Sequence, residues 1–224
     1  MIKTYDMETI GDEDYADIAK HLKSSGLIIY PTETSYAVGV DALNNSAVQK
    51  VFRLKDRDVG KPLPILVKDL NMLIGLASVN RREEDIISKF WPGVLTILFK
   101  SKKIPEKYLF TAGSEFIGAR ISPHPFVLRL FEEIDFPITA TSANLSGKGG
   151  ISDFNTLLKD KFFTLLPSDK EDIILINGKK LPGGASTIIK VARKKIEIIR
   201  EGDNNIKERL ICSIKNDGNC HNAL

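Results

Sequence analysis

Three polar stretches interrupt apolar ones, and each holds residue types that can grip a ligand. Thr32, Glu33, Thr34 and Ser35 follow the apolar run 27–30 and Pro31. Proline fixes one backbone angle, and the hydroxyls after it can bond a ligand or the nearby backbone. In KDRDVGKP, residues 55–62, Lys55, Arg57 and Lys61 lie close together, with Gly60 for flexibility. Arginine holds phosphate or carboxylate with a planar fork, lysine with a compact charge. Asp56 and Asp58 offset that charge, so a solvated loop is the plainer reading. The third stretch, TATSANLSGKGG at 139–150, carries Thr139, Thr141, Ser142, Asn144, Ser146 and glycines ending at Gly150. Small hydroxyl residues before a glycine-rich turn can present N–H and O–H groups to an anion, although the stretch also reads as a long glycine turn.

Arg120 lies inside the apolar FIGARIS, where a charge must be paired internally or bind something. PGGAST, residues 182–187, is a glycine turn entering a strand with Ser186 at its mouth, and Arg200 closes the next apolar stretch. Trp91, in WPG, reads as packing. The Walker pattern, G-x-G-x-x-G, HExxH and a nucleophile elbow are all missing, and His124 sits between two prolines. Cys212 and Cys220 form no CxxC pair, His21, His124 and His221 are scattered, and Cys220-His221 is at most a weak metal signal. The expected chemistry is positioning of a polyanion and small polar groups, without a covalent nucleophile or side-chain metal ligands.

The elements that must position these residues alternate. Helices are expected over 12–26, 44–55, 80–91, 124–134 and 153–163, and strands over 27–30, 35–42, 63–67, 94–100, 116–122, 137–143 and 172–178. Tyr15, Ile18, Ala19 and Leu22 share one helical face, with Gly26 at the expected C-terminal cap. Ala47, Val48, Val51, Phe52 and Leu54 share another, with Asn45 or Ser46 as N-cap. Residues 185–202 alternate apolar and polar on both sides of RKK, the pattern of two paired antiparallel strands. The class is α/β, with one open mixed sheet and helices on its faces. No linker or repeat divides 1–202, and 203–224 reads as a short helix and polar tail that could cover a cleft.

At 224 residues and 42% hydrophobic, the chain can bury one sizeable core. A net charge of +3 permits a nucleotide or nucleic-acid partner without demanding one. No basic-then-apolar leader opens the sequence, and no apolar run approaches the ~20 residues of a membrane span. No membrane contact is expected, and a reducing cytoplasm is the default.

Taken in order, YPTETSYAVGVDA, KDRDVGKPLPILV, FWPGVLTILF, GARISPHP, TSANLSG and ASTIIKV…IIREG resemble the YrdC family, over residues 15 to 202. These are the threonylcarbamoyl-AMP synthases of transfer-RNA modification, in their short single-domain form. The resemblance implies a twisted open sheet around a large concave basic cleft. It implies that L-threonine, bicarbonate and ATP, the last with Mg²⁺, give threonylcarbamoyl-AMP and pyrophosphate. A downstream threonylcarbamoyl transferase complex would pass the group to N6 of adenosine 37 in tRNA, and contact with tRNA or double-stranded RNA is possible. The family's catalytic set falls on Lys55, Arg57, Ser142 and Asn144. Its threonine positions fall on Thr34, Arg120, Ala140 and Ser186, and its ATP positions on Arg57, Lys61, Ser142, Gly150 and Arg200. Leu66 stands where some members have histidine, Phe116 where threonine is common, and Thr141 where proline is frequent. A non-catalytic RNA-binding module using the same cleft is the alternative, although neither an RNP-like aromatic pair nor a basic helix is present.

Overall fold

The computed structural model describes residues 2–102, 107–164, 173–192, 195–202 and 205–210. The chain runs β1 (Lys3–Asp6), α1 (Asp12–Lys23), β2 (Leu27–Tyr30), β3 (Ala37–Gly39), α2 (Asn45–Leu54), β4 (Ile65–Leu66), α3 (Leu70–Ile74), β5 (Ala77–Ser78), α4 (Arg81–Phe90) and β6 (Leu95–Ser101). It continues through a 3-10 turn (Leu109–Thr111), β7 (Phe116–Arg120), α5 (Pro125–Glu133), β8 (Ile138–Thr139), β9 (Thr141–Ser142), α6 (Phe154–Lys159), α7 (Lys161–Thr164), β10 (Ile173–Asn177), β11 (Thr187–Val191) and β12 (Ile196–Arg200).

Hydrogen bonding divides the described strands into two mixed sheets, where the sequence led us to expect one. The first has the order β1-β10-β2-β3-β9, the second β12-β11-β6-β7-β4-β8, with β5 on β6. The two meet at residues 138–142. β8 pairs with β4 in the second sheet and β9 with β3 in the first. Ala140 lies between them and donates its N–H to Pro64 O at 2.8 Å. Thr139 N also reaches Val40 O at 3.1 Å, and Asp41 bridges Ile138, so β8 touches both sheets. PITATSA is thus two short strands crossing from sheet to sheet, a break that period-2 patterning cannot show.

The strands next to the site are fixed by burial on two faces. In β2, Leu27 and Ile29 join one hydrophobic cluster, while Ile28 and Tyr30 join another. β10 behaves alike, with Ile173 and Leu175 on one side and Ile174 and Ile176 on the other. A continuous apolar run is what a strand covered on both faces requires. A one-residue slip would exchange the two sets, so register is strongly specified. α1 and α5 cover one side through Ile18, Leu22, Phe126 and Leu130, all fully buried. α2 covers the other through Ala47, Val48, Val51 and Phe52.

Local details depart from the expected pattern in small, physical ways. Asn44 caps α2, its side chain accepting from Ser46 N and Ala47 N, one position before the expected cap. At the end of α1 the left-handed residue is Ser25, with φ 65°. Gly26 follows it because the His21 ring lies where a Cβ would sit, 2.3 Å from Nε2. The helix expected over 153–163 breaks at Asp160 into α6 and α7. β1, α3 and β5 were not expected. Trp91 packs edge-on against Phe99 and donates Nε1–H to Leu95 O at 2.7 Å, as a packing residue should. Residues 206–210 are helical and bury Ile206 and Leu210 in the larger cluster. Arg193 and Lys194, and the tail 211–224 with Cys212, Cys220 and His221, lie outside the described residues.

Candidate active site

Where the two sheets meet, a cavity of about 630 Å³ opens among β3, β6, β7, β9, β11, β12 and the loops 31–36, 55–64 and 140–150. Thr34, Lys55, Arg57, Arg120, Ala140, Ser142, Asn144, Gly150, Ser186 and Arg200 all line it. Of the expected site residues, Lys61 is the exception. It is exposed and bonds within its own loop, its N–H donating to Asp58 O at 3.0 Å and its carbonyl accepting from Arg57 Nε at 3.3 Å. Five cations line the cavity, the fifth being Lys148, and no Asp or Glu is among the described lining residues.

The hydroxyl-rich turn after β2 is half self-satisfied and half offered to the cavity. Thr32 Oγ1 accepts from the backbone N–H groups of Thr34 at 3.2 Å and Ser35 at 3.3 Å, and donates to Ser35 O at 2.8 Å. That is a side chain closing its own turn. Its Oγ1 also lies 3.0 Å from Thr34 Oγ1, which orients the Thr34 hydroxyl at the cavity wall.

Glu33 turns the other way. Its carboxylate forms an ion pair with Arg120 Nη1 and accepts from Ser122 Oγ. Arg120 is therefore internally paired, as a buried arginine must be. The pairing uses one edge of the guanidinium. The Arg120 side chain makes no other hydrogen bond among the described residues, and no fully buried side-chain nitrogen there lacks a partner. Its remaining N–H groups therefore open into the cavity. A fork with one edge committed and one edge open suits a carboxylate.

Lys55 is built differently from the solvated lysine its sequence suggests. It caps α2 and is 1% exposed. Nζ donates to Ser142 O, to Asn144 O at 2.6 Å and to Asn144 Oδ1 at 3.3 Å. Burial and the neighbouring Arg57 guanidinium pull this ammonium down to about 7, while the three oxygens favour its charged form. Ser142 Oγ in turn donates to Asn144 Oδ1, and Asn144 Nδ2 donates to Lys148 O. The predicted Lys55, Ser142 and Asn144 thus converge into one cluster that shapes the 142–148 loop. With all three donors engaged, Lys55 reaches a ligand phosphate only by releasing one of them.

Arg57 stands at the rim, donating Nη2–H to Pro62 O at 2.9 Å, and half-burial lowers its affinity for the proton. Arg200 donates to Ser186 O at 2.8 Å and to Ser186 Oγ at 2.9 Å, and Thr96 Oγ1 donates to that same hydroxyl at 3.0 Å. Gly150 packs closely on the hydroxyl turn, since a Cβ would lie 2.7 Å from Ser35 Oγ and would have to displace it. Phe116 lines the cavity with Lys190 Nζ 3.9 Å over its ring. Leu66 is fully buried in the α1/α5 cluster and does not line the cavity, so it offers a ligand nothing. Ser122 and Thr96 were not singled out from the sequence, and Glu33 was named only as a member of the polar turn. A charge at Arg120 in an apolar strand signals that an acidic partner must exist, but its place in the chain gives no address.

Fold and cavity define an open mixed α/β protein that gathers cations, hydroxyls and glycine backbone into one cleft, with a half-committed arginine fork in its wall. The family model described as "Telomere recombination", covering Sua5, YciO and YrdC proteins, matches residues 20–202, and the chain belongs to this family. A Methanocaldococcus jannaschii protein, provisionally named threonylcarbamoyl-AMP synthase, is 35% identical over 207 residues, covering 90% of this chain and 92% of that protein. The Pyrococcus abyssi threonylcarbamoyl-AMP synthase is 31% identical over 186 residues, 82% of this chain and 52% of that protein, so this chain matches about half of the longer relative. The crystal structure of P. abyssi Sua5 complexed with L-threonine has a TM-score of 0.80 and 28% identity, covering 93% of this chain and 59% of that one.

Proposed function

We propose that this chain is a threonylcarbamoyl-AMP synthase. The observation that carries the reading is the half-committed fork of Arg120, placed in the same cavity as Thr34, Ser186, Arg57 and Arg200. The similarity to relatives named for this activity, and to a relative complexed with L-threonine, supports it.

The open edge of Arg120 takes the threonine carboxylate, and Thr34, the backbone at Ala140 and Ser186 surround the rest of the amino acid. The neutral amine attacks bicarbonate, giving a carbamate and water. A carbamate oxygen then attacks the α-phosphorus of ATP, and pyrophosphate leaves. Arg57 and Arg200 face the phosphates, with Ser142 and the Gly150 backbone, and Lys61 swings in from the rim. Preorganised donors aimed at developing charge are the expected source of catalysis where no nucleophile is present. Mg²⁺ would enter as part of the substrate Mg·ATP. This assigns the activity to residues 1–202, with 203–224 an appendage, and the product to a downstream transferase that modifies tRNA. The setting is cytoplasmic. No described helix is long and apolar enough to cross a membrane.

Pyrophosphate release from Mg·ATP tests the reading. It should require both L-threonine and bicarbonate, and should fall by about 100-fold or more in Arg57→Ala, the scale of losing one donor to developing charge. No release above background, with salt-sensitive RNA binding retained, would overturn it in favour of a binding module.

A further inference from the structure

We propose that Glu33 is a positioning residue for the amino-acid end of the cavity, holding Arg120 by one edge so that the other meets the substrate carboxylate. This rests on the assignment of Arg120 to that carboxylate. Glu33 does not line the cavity; it stands behind Arg120. Both of its oxygens are in use, one on Arg120 Nη1 and one on Ser122 Oγ. Ser122 is 1% exposed, and its Oγ also accepts from His124 N at 3.2 Å, so the far end of the carboxylate is anchored to the start of α5. The backbone of Arg120 is fixed as well, with its carbonyl accepting from Val67 N at 3.1 Å.

The physical need is plain. Arginine sits on a long stem with many rotamers, and a planar fork is useful only if its plane is set. A carboxylate that fixes Nη1 sets that plane and makes a buried cation tolerable before substrate arrives. It also weakens the pull of Arg120 on any anion, so its benefit must come through orientation rather than charge. That distinction is measurable. Loss of Glu33 leaves the positive charge in the site stronger but unaimed.

The test compares Glu33→Ala, Glu33→Gln and Arg120→Ala in steady-state pyrophosphate release. Glu33→Ala should raise the KM for L-threonine by about tenfold or more, the scale of losing one charge-assisted hydrogen bond. The KM for ATP, and kcat at saturating threonine, should move by less than about threefold. Glu33→Gln keeps an acceptor oxygen for Nη1 and should recover most of the threonine KM. A merely structural role would shift both KM values and the melting temperature together, and that outcome overturns the proposal. So does a threonine KM unchanged in Glu33→Ala while Arg120→Ala raises it. If Arg120→Ala leaves the threonine KM unchanged, the assignment of Arg120 itself fails. If wild type releases no pyrophosphate, the function fails instead, and calorimetric L-threonine binding to the same variants judges the positioning role. Should Glu33→Ala not fold, Ser122→Ala frees the second oxygen and should produce the same threonine-selective change.

Discussion

Lys55 carries an ammonium where water scarcely reaches, at 1% exposure, and donates its N–H groups to three oxygens of the 142–144 segment. In the folded protein this group gives up its proton near pH 7, in the unfolded chain near the ordinary 10.5. Between those values the unfolded state binds more protons, so stability contributed through this residue should rise with pH from about 7 to 10. Lys55→Met should flatten that rise in urea midpoints measured across the range, and should also lower overall stability by leaving buried carbonyls without donors. An unchanged slope would mean that the three oxygens outweigh burial and hold the lysine charged. Here the sequence was least legible. A lysine followed by Asp56 and Asp58 reads as solvated, and only the tertiary approach of residue 144 makes it a staple. Arg120 was the reverse case. Its apolar surroundings announced a buried charge, and only the partner, 87 positions away, was hidden.

At the scale of elements, the mouth of the cavity is formed where β12 returns beside β11. Gly202 follows β12 and donates its N–H to Thr187 Oγ1 at 3.0 Å. A Cβ there would lie 2.2 Å from Ala185 O and 2.7 Å from Thr187 N, both backbone atoms with little freedom to give. Gly202→Ala should therefore displace 185–187, and with it the Ser186 that Arg200 and Thr96 both contact. We expect about 1–3 kcal/mol lost in stability, measured by urea unfolding, and a higher KM for both ATP and threonine. This joint shift contrasts with the threonine-selective change expected at Glu33. The hairpin itself was readable from alternation on both sides of RKK, and β2 from its unbroken apolar run. β1, α3 and β5 were not, because two to five residues give neither period 2 nor period 3.6 enough length to register.

Across the whole molecule, the chain after the hairpin returns to the core. Ile206 and Leu210 are buried, and Arg209 lies 5.2 Å over the ring of Phe90, a residue outside the cavity lining. The segment after Arg200 therefore begins as a brace against α4. A chain ending after 202 should lose the burial of two large apolar side chains, each worth about 1.5–3 kcal/mol, and melt lower. A chain ending after 210 keeps that burial, so a raised KM for ATP in this form would report a cover over the cleft and nothing else. An unchanged KM there would dismiss the cover. The alternating pattern of helices and strands predicted the class of this molecule well. It did not predict that hydrogen bonding would part the strands into two sheets, because pairing partners far apart in sequence leave no local trace.

The crossing at Ala140 has a mechanical consequence. Residues 138–142 are stitched to β4 on one side and to β3 on the other, so neither sheet can slide past the other without tearing that seam. The cavity lies along the seam, with Thr34 on the first sheet's flank and Arg120 at the end of β7 in the second. An amino acid held between those two residues would fasten the halves together like a clasp, across a joint the chain has already sewn.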